Sequence, residues 1–229
     1  MPSTASPTQP FPPAAAELAR NQMIEQQVRA WDVLDNRVLD VLRRVRREEF
    51  APPAWRDVAF ADSTIPIGHG QVMLPPKVDG RILAALAVAG DDEVLDVGTG
   101  SGFLAACLGK LGARVRSLEI VPDLAETARR NLHTAAVNNV IVDIGDGLGL
   151  TDTERYDAIA VTGSLPEYDE RFARALKVGG RLFLVVGQAP VMSALKITRT
   201  GSNEWTRETL FETVIPPLLN ARQPSRFVF

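Results

Sequence analysis

Three glycines follow a short apolar run that carries one acidic residue, and this segment of the sequence has the clearest chemical meaning. Residues 94–102 read VLDVGTGSG. Glycines at such a place let the backbone turn tightly and let a ligand approach the main chain beyond the carboxyl end of a strand. An ordinary tight turn is the alternative, but an acidic strand followed by three alternating glycines favours a cofactor site.

The spacing of the glycines also indicates which cofactor binds. A dinucleotide site has the pattern G-x-G-x-x-G, whereas here the third glycine, Gly102, comes one position early and Phe103 stands in its place. Asp96 puts a carboxylate near the loop, where it repels a pyrophosphate and attracts a cation. S-adenosylmethionine carries a sulfonium and an ammonium group and has no phosphate. The sequence therefore predicts S-adenosylmethionine as the cofactor.

Two further acidic residues extend this prediction along the chain. Glu119 ends the second predicted strand, where a carboxylate can accept hydrogen bonds from both hydroxyls of a ribose. Dinucleotides contain a ribose too, so Glu119 alone does not separate the two cofactors. Asp146 lies between two glycines after the third predicted strand and can accept a hydrogen bond from the adenine amino group. The predicted cofactor-binding residues are Asp96, Gly98, Thr99, Gly100, Ser101, Gly102, Glu119, Ile120, Asp146 and Gly147.

The elements that must position these residues alternate between strand and helix patterns. Predicted strands cover Val94–Val97, Arg114–Glu119, Val140–Ile144, Tyr156–Val161 and Arg181–Val186, and predicted helices cover residues 77–89, Phe103–Leu111, Asp123–Ala136 and Asp169–Leu176. Repeated β-α-β spacing builds a mostly parallel sheet with helices on both faces. Ser193–Thr200 and Trp205–Val214 flank a Gly-Ser-Asn turn, which is typical of an antiparallel hairpin. The predicted fold is therefore α/β, a doubly wound, mostly parallel Rossmann-like sheet with an antiparallel C-terminal edge and an N-terminal helical extension.

The chain before this alternation divides into two predicted regions. Residues 1–16 hold five prolines, and their composition buries too little apolar surface to fold, so we expect a disordered tail. Residues 17–76 contain two amphipathic helix patterns with a break near residues 31–35, followed by turn-rich segments. We expect them to form a helical and loop extension over the active site. Residues 77–229 would then form the cofactor-binding domain.

The charge composition bears on the possible binding partners of the protein. Lys and Arg total 25 against 28 for Asp and Glu, a net charge of −3, which gives no global electrostatic argument for nucleic acid or an anionic membrane as a partner. A basic run, Arg43, Arg44, Arg46 and Arg47, is interpreted as the solvated face of a helix.

Cysteine and histidine are scarce. The one cysteine, Cys107, lies in an apolar segment and is expected to be a small core residue. One cysteine and two histidines are too few ligands for the usual structural zinc sites. We therefore expect no metal. The apolar runs are too short for a membrane-spanning helix. The expected location is the cytoplasm, and the expected state is a monomer or a weak homo-oligomer.

Several segments together resemble a known family. They are residues 36–39 (NRVL), 47–50 (REEF), 61–62 (AD), 65–71 (IPIGHGQ), 94–102 (VLDVGTGSG), 145–147 (GDG), 156–162 (YDAIAVT) and 176–182 (LKVGGRL). The chain resembles the class I S-adenosylmethionine-dependent methyltransferases, and within them the protein-L-isoaspartate O-methyltransferase family. The resemblance covers about residues 21 to 217, and the segment before the glycine loop, residues 65–71, is the most family-specific part.

The sequence departs from this family at the substrate motif. The family normally continues Thr-Ile-Ser-x-Pro, with hydroxyls that line the space between the methyl donor and the substrate carboxylate, whereas residues 72–76 read VMLPP. Val72 and Leu74 therefore stand at the positions of the two hydroxyl residues, and apolar side chains cannot donate to a carboxylate. By motif position, the candidate catalytic residues are Val72, Leu74, His69 and Thr162. An acceptor with a hydroxyl group would need a base, for which Asp62, His69 and Thr162 are the nearest candidates.

Three hypotheses of function follow. The first is an S-adenosylmethionine-dependent O-methyltransferase of the isoaspartate-repair type, acting on an abnormal aspartyl carboxylate in a damaged protein or peptide. The second is a methyltransferase of the same fold with a changed, small-molecule acceptor, which the loss of the Thr/Ser pair favours. The third is a cofactor-binding module without transferase activity.

Overall fold

A computed structural model describes residues 12–112 and 114–222 of the 229-residue chain. Its strands are β1 (Ile65–Gly68), β2 (Gln71–Met73), β3 (Glu93–Val97), β4 (Arg114–Glu119), β5 (Val140–Ile144), β6 (Tyr156–Leu165), β7 (Leu176–Gln188), β8 (Val191–Gly201) and β9 (Glu204–Glu212). Its α-helices are α1 (Pro13–Met23), α2 (Asn36–Arg44), α3 (Arg47–Phe50), α4 (Pro76–Leu86), α5 (Phe103–Lys110), α6 (Pro122–Thr134) and α7 (Glu170–Arg174).

Within the described ranges, seven strands form one sheet in the order β5-β4-β3-β6-β7-β8-β9. The five strands from β5 to β7 run parallel, and β8 and β9 add an antiparallel edge. The predicted fold class is confirmed. The chain moves outward from β3 to β5 on one side and then returns to place β6 on the other side of β3. This reversal is the topological switch point, where open α/β sheets bind ligands beyond the carboxyl ends of their strands.

The core lies on both faces of the sheet. β3 is covered on both faces, because Val94 and Leu95 point to opposite faces of the sheet and both are fully buried. One face packs against α4, α5 and the N-terminal helices, and the other packs against α7 and the C-terminal segment. Cys107 is fully buried in α5, as predicted for a core residue. The two packed faces hold the carboxyl ends of β3, β4 and β6 in fixed positions.

The N-terminal extension begins earlier than the sequence analysis predicts. Helix α1 starts at Pro13, where proline suits the first helical turn, and Ala16 is buried against the core, so the boundary at residue 16 is wrong. The rest of the expected tail, residues 1–11, lies outside the described residues. The break near residues 31–35 is confirmed, because a π turn (Ile24–Val28) and a 3-10 turn (Arg29–Trp31) lead from α1 to the start of α2.

The turn-rich segment ahead of α4 forms a small hairpin that the sequence analysis does not predict. β1 and β2 pair antiparallel, with Ile65 opposite Met73, and residues 68–70 make the turn. The helix predicted over residues 169–176 is shorter, because Leu176 pairs with Tyr156 in the sheet instead of continuing α7. No helix of the described ranges has both the length and the apolar composition needed to cross a membrane.

Candidate functional site

A cleft opens at the switch point, beyond the carboxyl ends of β3, β4 and β6. It has an empty volume of about 900 Å³, including the part that is open to solvent. The glycine loop and the β4 end form its floor, the β1–β2 hairpin forms one wall, and residues 216–219 of the C-terminal segment form another. Three chain segments that are distant in sequence therefore meet around one space.

The backbone conformation of the glycine loop and its close packing both require glycine. Gly98, Gly100 and Gly102 have φ values of +95°, +54° and +87°, in the left-handed region that favours glycine. A Cβ atom at Gly98 would lie 2.6 Å from Oγ1 of Thr162. The Gly98 amide also donates to the carbonyl of Leu118 at 2.9 Å, which fixes the loop against the end of β4.

Glu119 links the loop to the next strand. One of its carboxylate oxygens accepts a hydrogen bond from the Gly100 amide at 2.8 Å, and the other accepts one from the Val121 amide at 3.0 Å. The residue is 4% exposed and lines the cleft. Each carboxylate oxygen can accept two hydrogen bonds, so this rigidly held group retains acceptor capacity for a pair of hydroxyls.

Asp96 lies beneath the loop, and only one of its two carboxylate oxygens has a hydrogen-bond partner among the described residues. Ser117 donates to Oδ2 at 2.6 Å, and the Ser117 hydroxyl also contacts Thr99 Oγ1 at 2.6 Å. Oδ1 is buried and has no hydrogen-bond partner among the described residues. Burial raises the pKa of Asp96 to about 7, the Ser117 hydrogen bond opposes this, and the charges of Glu119 and Asp79 add to it. A cation bound nearby would favour the ionised carboxylate, so the site is chemically suited to a positively charged ligand.

The far end of the cleft has a similar arrangement around Asp146. Its carboxylate accepts hydrogen bonds from the Leu148 amide at 2.8 Å and from Nδ2 of Asn220 at 3.0 Å. A Cβ atom at Gly147 would lie 2.3 Å from Cγ1 of Val97, so only glycine lets this turn approach β3 so closely.

The hairpin side of the cleft is apolar apart from Gln71. Val72, Met73 and Leu74 line it together with Phe103 of α5. Thr162 also lines the cleft, but its hydroxyl lies 2.9 Å from both the Val97 and the Gly98 carbonyl oxygens and donates to them. Thr162 therefore braces the glycine loop and is poorly placed to serve as a base.

A buried ion pair borders the cleft beside these apolar side chains. Arg47 is 0% exposed, and its Nη1 donates to Oδ2 of Asp79 at 2.6 Å. The same guanidinium donates to the carbonyls of Ala59 and Leu74 and lies 4.8 Å from the ring centre of Phe103. Burial raises the pKa of Asp79 to about 6, against the opposing charge and hydrogen bond of Arg47. The placement of Arg47 on a solvated helix face is wrong, because its counterion and its carbonyl partners all lie in the protein interior.

Comparison with known proteins identifies the family. The model of the family "Protein-L-isoaspartate(D-aspartate) O-methyltransferase (PCMT)" matches residues 18–223. A protein-L-isoaspartate O-methyltransferase of Rhodopseudomonas palustris is 37% identical over 201 residues, which cover 87% of this chain and 92% of that protein. One of Methanoculleus marisnigri is 39% identical over 181 residues, covering 79% of this chain and 82% of that protein. The chain belongs to this methyltransferase family.

A solved structure of the same family supports the fold. It is a PCMT from Plasmodium falciparum in complex with S-adenosyl-L-homocysteine, with a TM-score of 0.75 and 20% identity, covering 87% of this chain and 97% of that one. The family predicted from the sequence is confirmed, and the α/β fold is that of the methyltransferase family.

Most residues predicted for the methyltransferase site line the cleft. They are Val72, Leu74, Gly98, Thr99, Gly100, Ser101, Glu119, Ile120, Asp146, Gly147 and Thr162. Their roles toward a cofactor or an acceptor stay predictions, since geometry alone brings them together. Within the described residues, no group of three or more His, Cys, Asp or Glu side chains is arranged to hold a metal ion.

Three predicted site residues are absent from the described cleft lining, and each has a physical reason. Asp96 lies below the loop, separated from the lining by its own hydrogen-bond network. Gly102 caps α5, and a Cβ atom there would lie 3.2 Å from that of Ala128. His69 lies at the hairpin turn, half-exposed and 3.4 Å from the Asp123 carboxylate. Asp62 likewise pairs with Lys77 at 2.7 Å, so the structure favours neither His69 nor Asp62 as a base in the cleft.

Two groups of cleft residues lie outside the predicted site residues. One is the ion pair of Arg47 and Asp79, for which the available signal is an acid placed on the apolar face of a predicted helix. The other is the C-terminal segment 216–219, which reaches the cleft because Leu218 and Pro216 bond to the main chain of Ser164 at 2.9 Å. Both groups depend on contacts between distant segments.

Proposed function

We propose that this member of the family is an S-adenosylmethionine-dependent O-methyltransferase that methylates an abnormal aspartyl carboxylate, of the isoaspartyl type, in damaged proteins or peptides. The observation that carries the proposal is the acidic cleft at the switch point. There the Glu119 carboxylate fixes the glycine loop and Asp96 keeps one buried oxygen without a partner. This arrangement suits a cationic cofactor and disfavours a pyrophosphate.

The residues present fit S-adenosylmethionine along the whole cleft. Glu119 would hold the ribose hydroxyls, Asp146 would accept from the adenine amino group, and Asp96 would balance the positive charge beneath the glycine loop. When bound, the cofactor supplies an electrophilic methyl group on its sulfonium.

The protein's own part in the reaction is positioning. An aspartyl carboxylate is ionised near neutral pH, so it needs no general base. The apolar wall formed by Val72, Met73 and Leu74 would exclude water and orient the acceptor oxygen toward the methyl group. Correct alignment of a bound nucleophile can account for most of such a rate enhancement.

One observation favours a second candidate function. Val72 and Leu74 line the acceptor side of the cleft without any hydroxyl to donate to a carboxylate. An uncharged small-molecule acceptor would suit this wall better than an anion. The second candidate is therefore a methyltransferase of the same family with a small, apolar acceptor.

We place the reaction in the cytoplasm, with a damaged protein or peptide as the partner and with the protein as a monomer or a weak homo-oligomer. The net charge of −3 supports the absence of a nucleic-acid partner.

A labelled-methyl transfer experiment tests the proposal. The protein is incubated with methyl-labelled S-adenosylmethionine and a peptide that contains one isoaspartyl residue, and the same peptide with a normal aspartyl residue is the control. We expect label to enter only the isoaspartyl peptide, as an ester that is hydrolysed by mild base. Cofactor binding without transfer to either peptide contradicts the proposal and leads to a screen of small-molecule acceptors.

A further inference from the structure

On the acceptor side of the cleft, Asp79 is a buried polar side chain that has unused hydrogen-bonding capacity. Asp79 lies on α4, is 3% exposed and lines the cleft. Its Oδ2 is taken by Arg47 at 2.6 Å, whereas Oδ1 has no hydrogen bond within the described residues. Arg47 donates one hydrogen bond from each of its three guanidinium nitrogens, to Asp79 and to the Ala59 and Leu74 carbonyls.

The charges around the cleft make a second carboxylate there unfavourable. Among the described residues that line the cleft, the charged ones are Arg47, Asp79, Glu119 and Asp146. Arg47 is balanced by Asp79, so the remaining charge is negative, and Asp96 beneath the loop increases it when ionised. A carboxylate acceptor that enters this space therefore gains from bringing a proton with it.

Resting on the proposed function, we propose that Asp79 is the specificity-determining residue of the acceptor side and holds the substrate carboxylate through one proton shared between the two carboxyl groups. Two carboxyl groups in contact cannot both ionise at low cost, and they share a proton instead. Asp79 would thus take the donor role that Val72 and Leu74 cannot fill.

The proton balance of this arrangement is simple. One proton enters from solvent when the acceptor binds, and it lies between Asp79 and the acceptor oxygen that does not react. The other acceptor oxygen forms the new bond to the methyl carbon as the bond from that carbon to sulfur breaks. The acceptor becomes a neutral ester, the proton stays on Asp79, and it returns to solvent when the ester leaves.

The groups that interact electrostatically with Asp79 in the described chain come from three packed elements. They are Arg47 of α3, Asp96 of β3 and the Cys107 thiol of α5. Burial raises the pKa of Asp79 to about 6 despite Arg47, so its protonated form is accessible near neutral pH. Acceptor binding is therefore expected to weaken as pH rises above about 6.

The pH dependence of the wild-type protein is the first test, and it requires no variant. At saturating cofactor, kcat/KM for an isoaspartyl peptide should fall about tenfold per pH unit between pH 7 and pH 8, because one proton must bind with the acceptor. kcat should change much less, since the proton is already present in the complex. A kcat/KM that is flat or rises across this range overturns the proposal.

Two variants of Asp79 provide the second test. Asp79→Asn keeps a hydrogen-bond donor that does not titrate, so its kcat/KM should be nearly independent of pH and should exceed that of Asp79→Leu at least about tenfold. Asp92→Asn is the matched control, because Asp92 forms a partly buried pair with Arg181 at 2.8 Å, away from the cleft. The control should retain the wild-type pH profile, and cofactor affinity should be similar in all three variants.

The two proposals fail in different ways. If no isoaspartyl peptide is methylated at any pH, the proposed function is wrong. If the peptide is methylated but Asp79→Asn keeps the wild-type pH profile, or Asp79→Leu matches Asp79→Asn, then the role of Asp79 is wrong and the proposed function stands. A variant that does not fold leaves the wild-type pH profile as the deciding measurement.

Discussion

Glu119 shows how a single carboxylate can serve both folding and binding. It accepts hydrogen bonds from the Gly100 and Val121 amides while it lines the cleft, so the same carboxylate orders the loop and faces the proposed cofactor site. A site built in this way is already in its binding geometry before the cofactor arrives, which lowers the entropic cost of binding.

The substitution Glu119→Ala tests this reading. We expect cofactor binding to weaken by about 1–3 kcal/mol, because hydrogen bonds to a charged group are lost and two loop amides lose their acceptor. Isothermal titration calorimetry with S-adenosylmethionine measures the effect. Glu126→Ala is the control, since Glu126 lies on the solvent side of α6 and pairs with Arg129. Equal affinities of Glu119→Ala and the wild type would contradict the assignment.

Asp96 illustrates a cost in stability at a functional site. Its pKa in the folded protein, about 7, is above the ordinary value of 3.8, so the folded state binds the proton more tightly than the unfolded state does. The free energy of unfolding therefore decreases as pH rises from about 4 to about 7, and the penalty is complete above that range. The free energy of unfolding falls with pH because the ionised Asp96 carboxylate is buried without a full set of hydrogen-bond partners.

The substitution Asp96→Asn should remove this penalty. We expect the variant to be more stable than the wild type at pH 8 by roughly 2–4 kcal/mol, with the difference shrinking toward pH 5, as measured by denaturant unfolding. Asp157→Asn provides a control of opposite sign, because the Glu93 amide and Lys177 hold the pKa of Asp157 below its usual value despite partial burial. If Asp96→Asn is less stable than the wild type at pH 8, the ionised Asp96 carboxylate does not destabilise the folded protein.

The acceptor wall can be tested by restoring hydroxyl groups. The double substitution Val72→Thr and Leu74→Ser places donors on the lining of the cleft, and a hydrogen bond to a carboxylate contributes about 1.5–3 kcal/mol. We expect kcat/KM for an isoaspartyl peptide to rise about tenfold, as measured by methyl transfer at fixed pH. Val72→Ala with Leu74→Ala is the control for altered wall size. A decrease in the hydroxyl variant with no decrease in the alanine variant would favour the small-molecule acceptor.

Among single residues, sequence analysis locates those whose chemistry is visible in a local pattern. Glu119 and Asp146 follow predicted strands, and the parallel order of the sheet alone brings them to one edge. Arg47 and Asp79 are different, because only tertiary packing shows that a basic run contributes one fully buried arginine. Gly102 belongs to the glycine pattern but caps a helix, which spacing alone does not reveal.

At the scale of elements, the contact between the N-terminal extension and α4 depends on one glycine. Gly80 lies inside α4, and a Cβ atom there would be 2.7 Å from Cγ1 of the buried Val28. Alanine favours a helix by about 1 kcal/mol over glycine, but overpacking a stiff, buried β-branched side chain costs about 1–3 kcal/mol. The close approach of the extension to the helix therefore explains a residue that helix propensity alone disfavours.

The substitution Gly80→Ala should consequently destabilise the protein by about 1 kcal/mol, as measured by denaturant unfolding. In a Val28→Ala background the same substitution should stabilise the protein, because the obstructing methyl group is gone and helix propensity then dominates. If Gly80→Ala stabilises the protein in the wild-type background, the N-terminal extension can move away from α4 without a loss of free energy of unfolding.

The elements themselves were predictable to different degrees. The β-α-β alternation fixes β3 to β6 and their helices, because each is a local pattern with its own periodicity. The β1–β2 hairpin lies in a segment of turn residues and has only short strands, so no alternation marks it. The end of α7 is set by the pairing of Leu176 with Tyr156, which is a contact across twenty residues and has no local signal.

At the scale of the whole molecule, the account depends on the order of the strands. The chain reverses direction across the sheet at β3, and this creates a crevice that three distant segments then enclose. The extension and the C-terminal segment line the proposed acceptor side, whereas the strand ends of the sheet line the proposed cofactor side. This division explains why the cofactor could be inferred from sequence motifs and the acceptor could not.

A pair of calorimetric titrations shows whether the crevice at β3 binds an adenosyl sulfonium or a dinucleotide. The wild-type protein is titrated with S-adenosylmethionine and, separately, with NAD under the same conditions. We expect one S-adenosylmethionine bound per chain and no measurable heat of binding with NAD. Saturable binding of NAD, or no binding of S-adenosylmethionine by a protein shown to be folded, would overturn the assignment of the crevice.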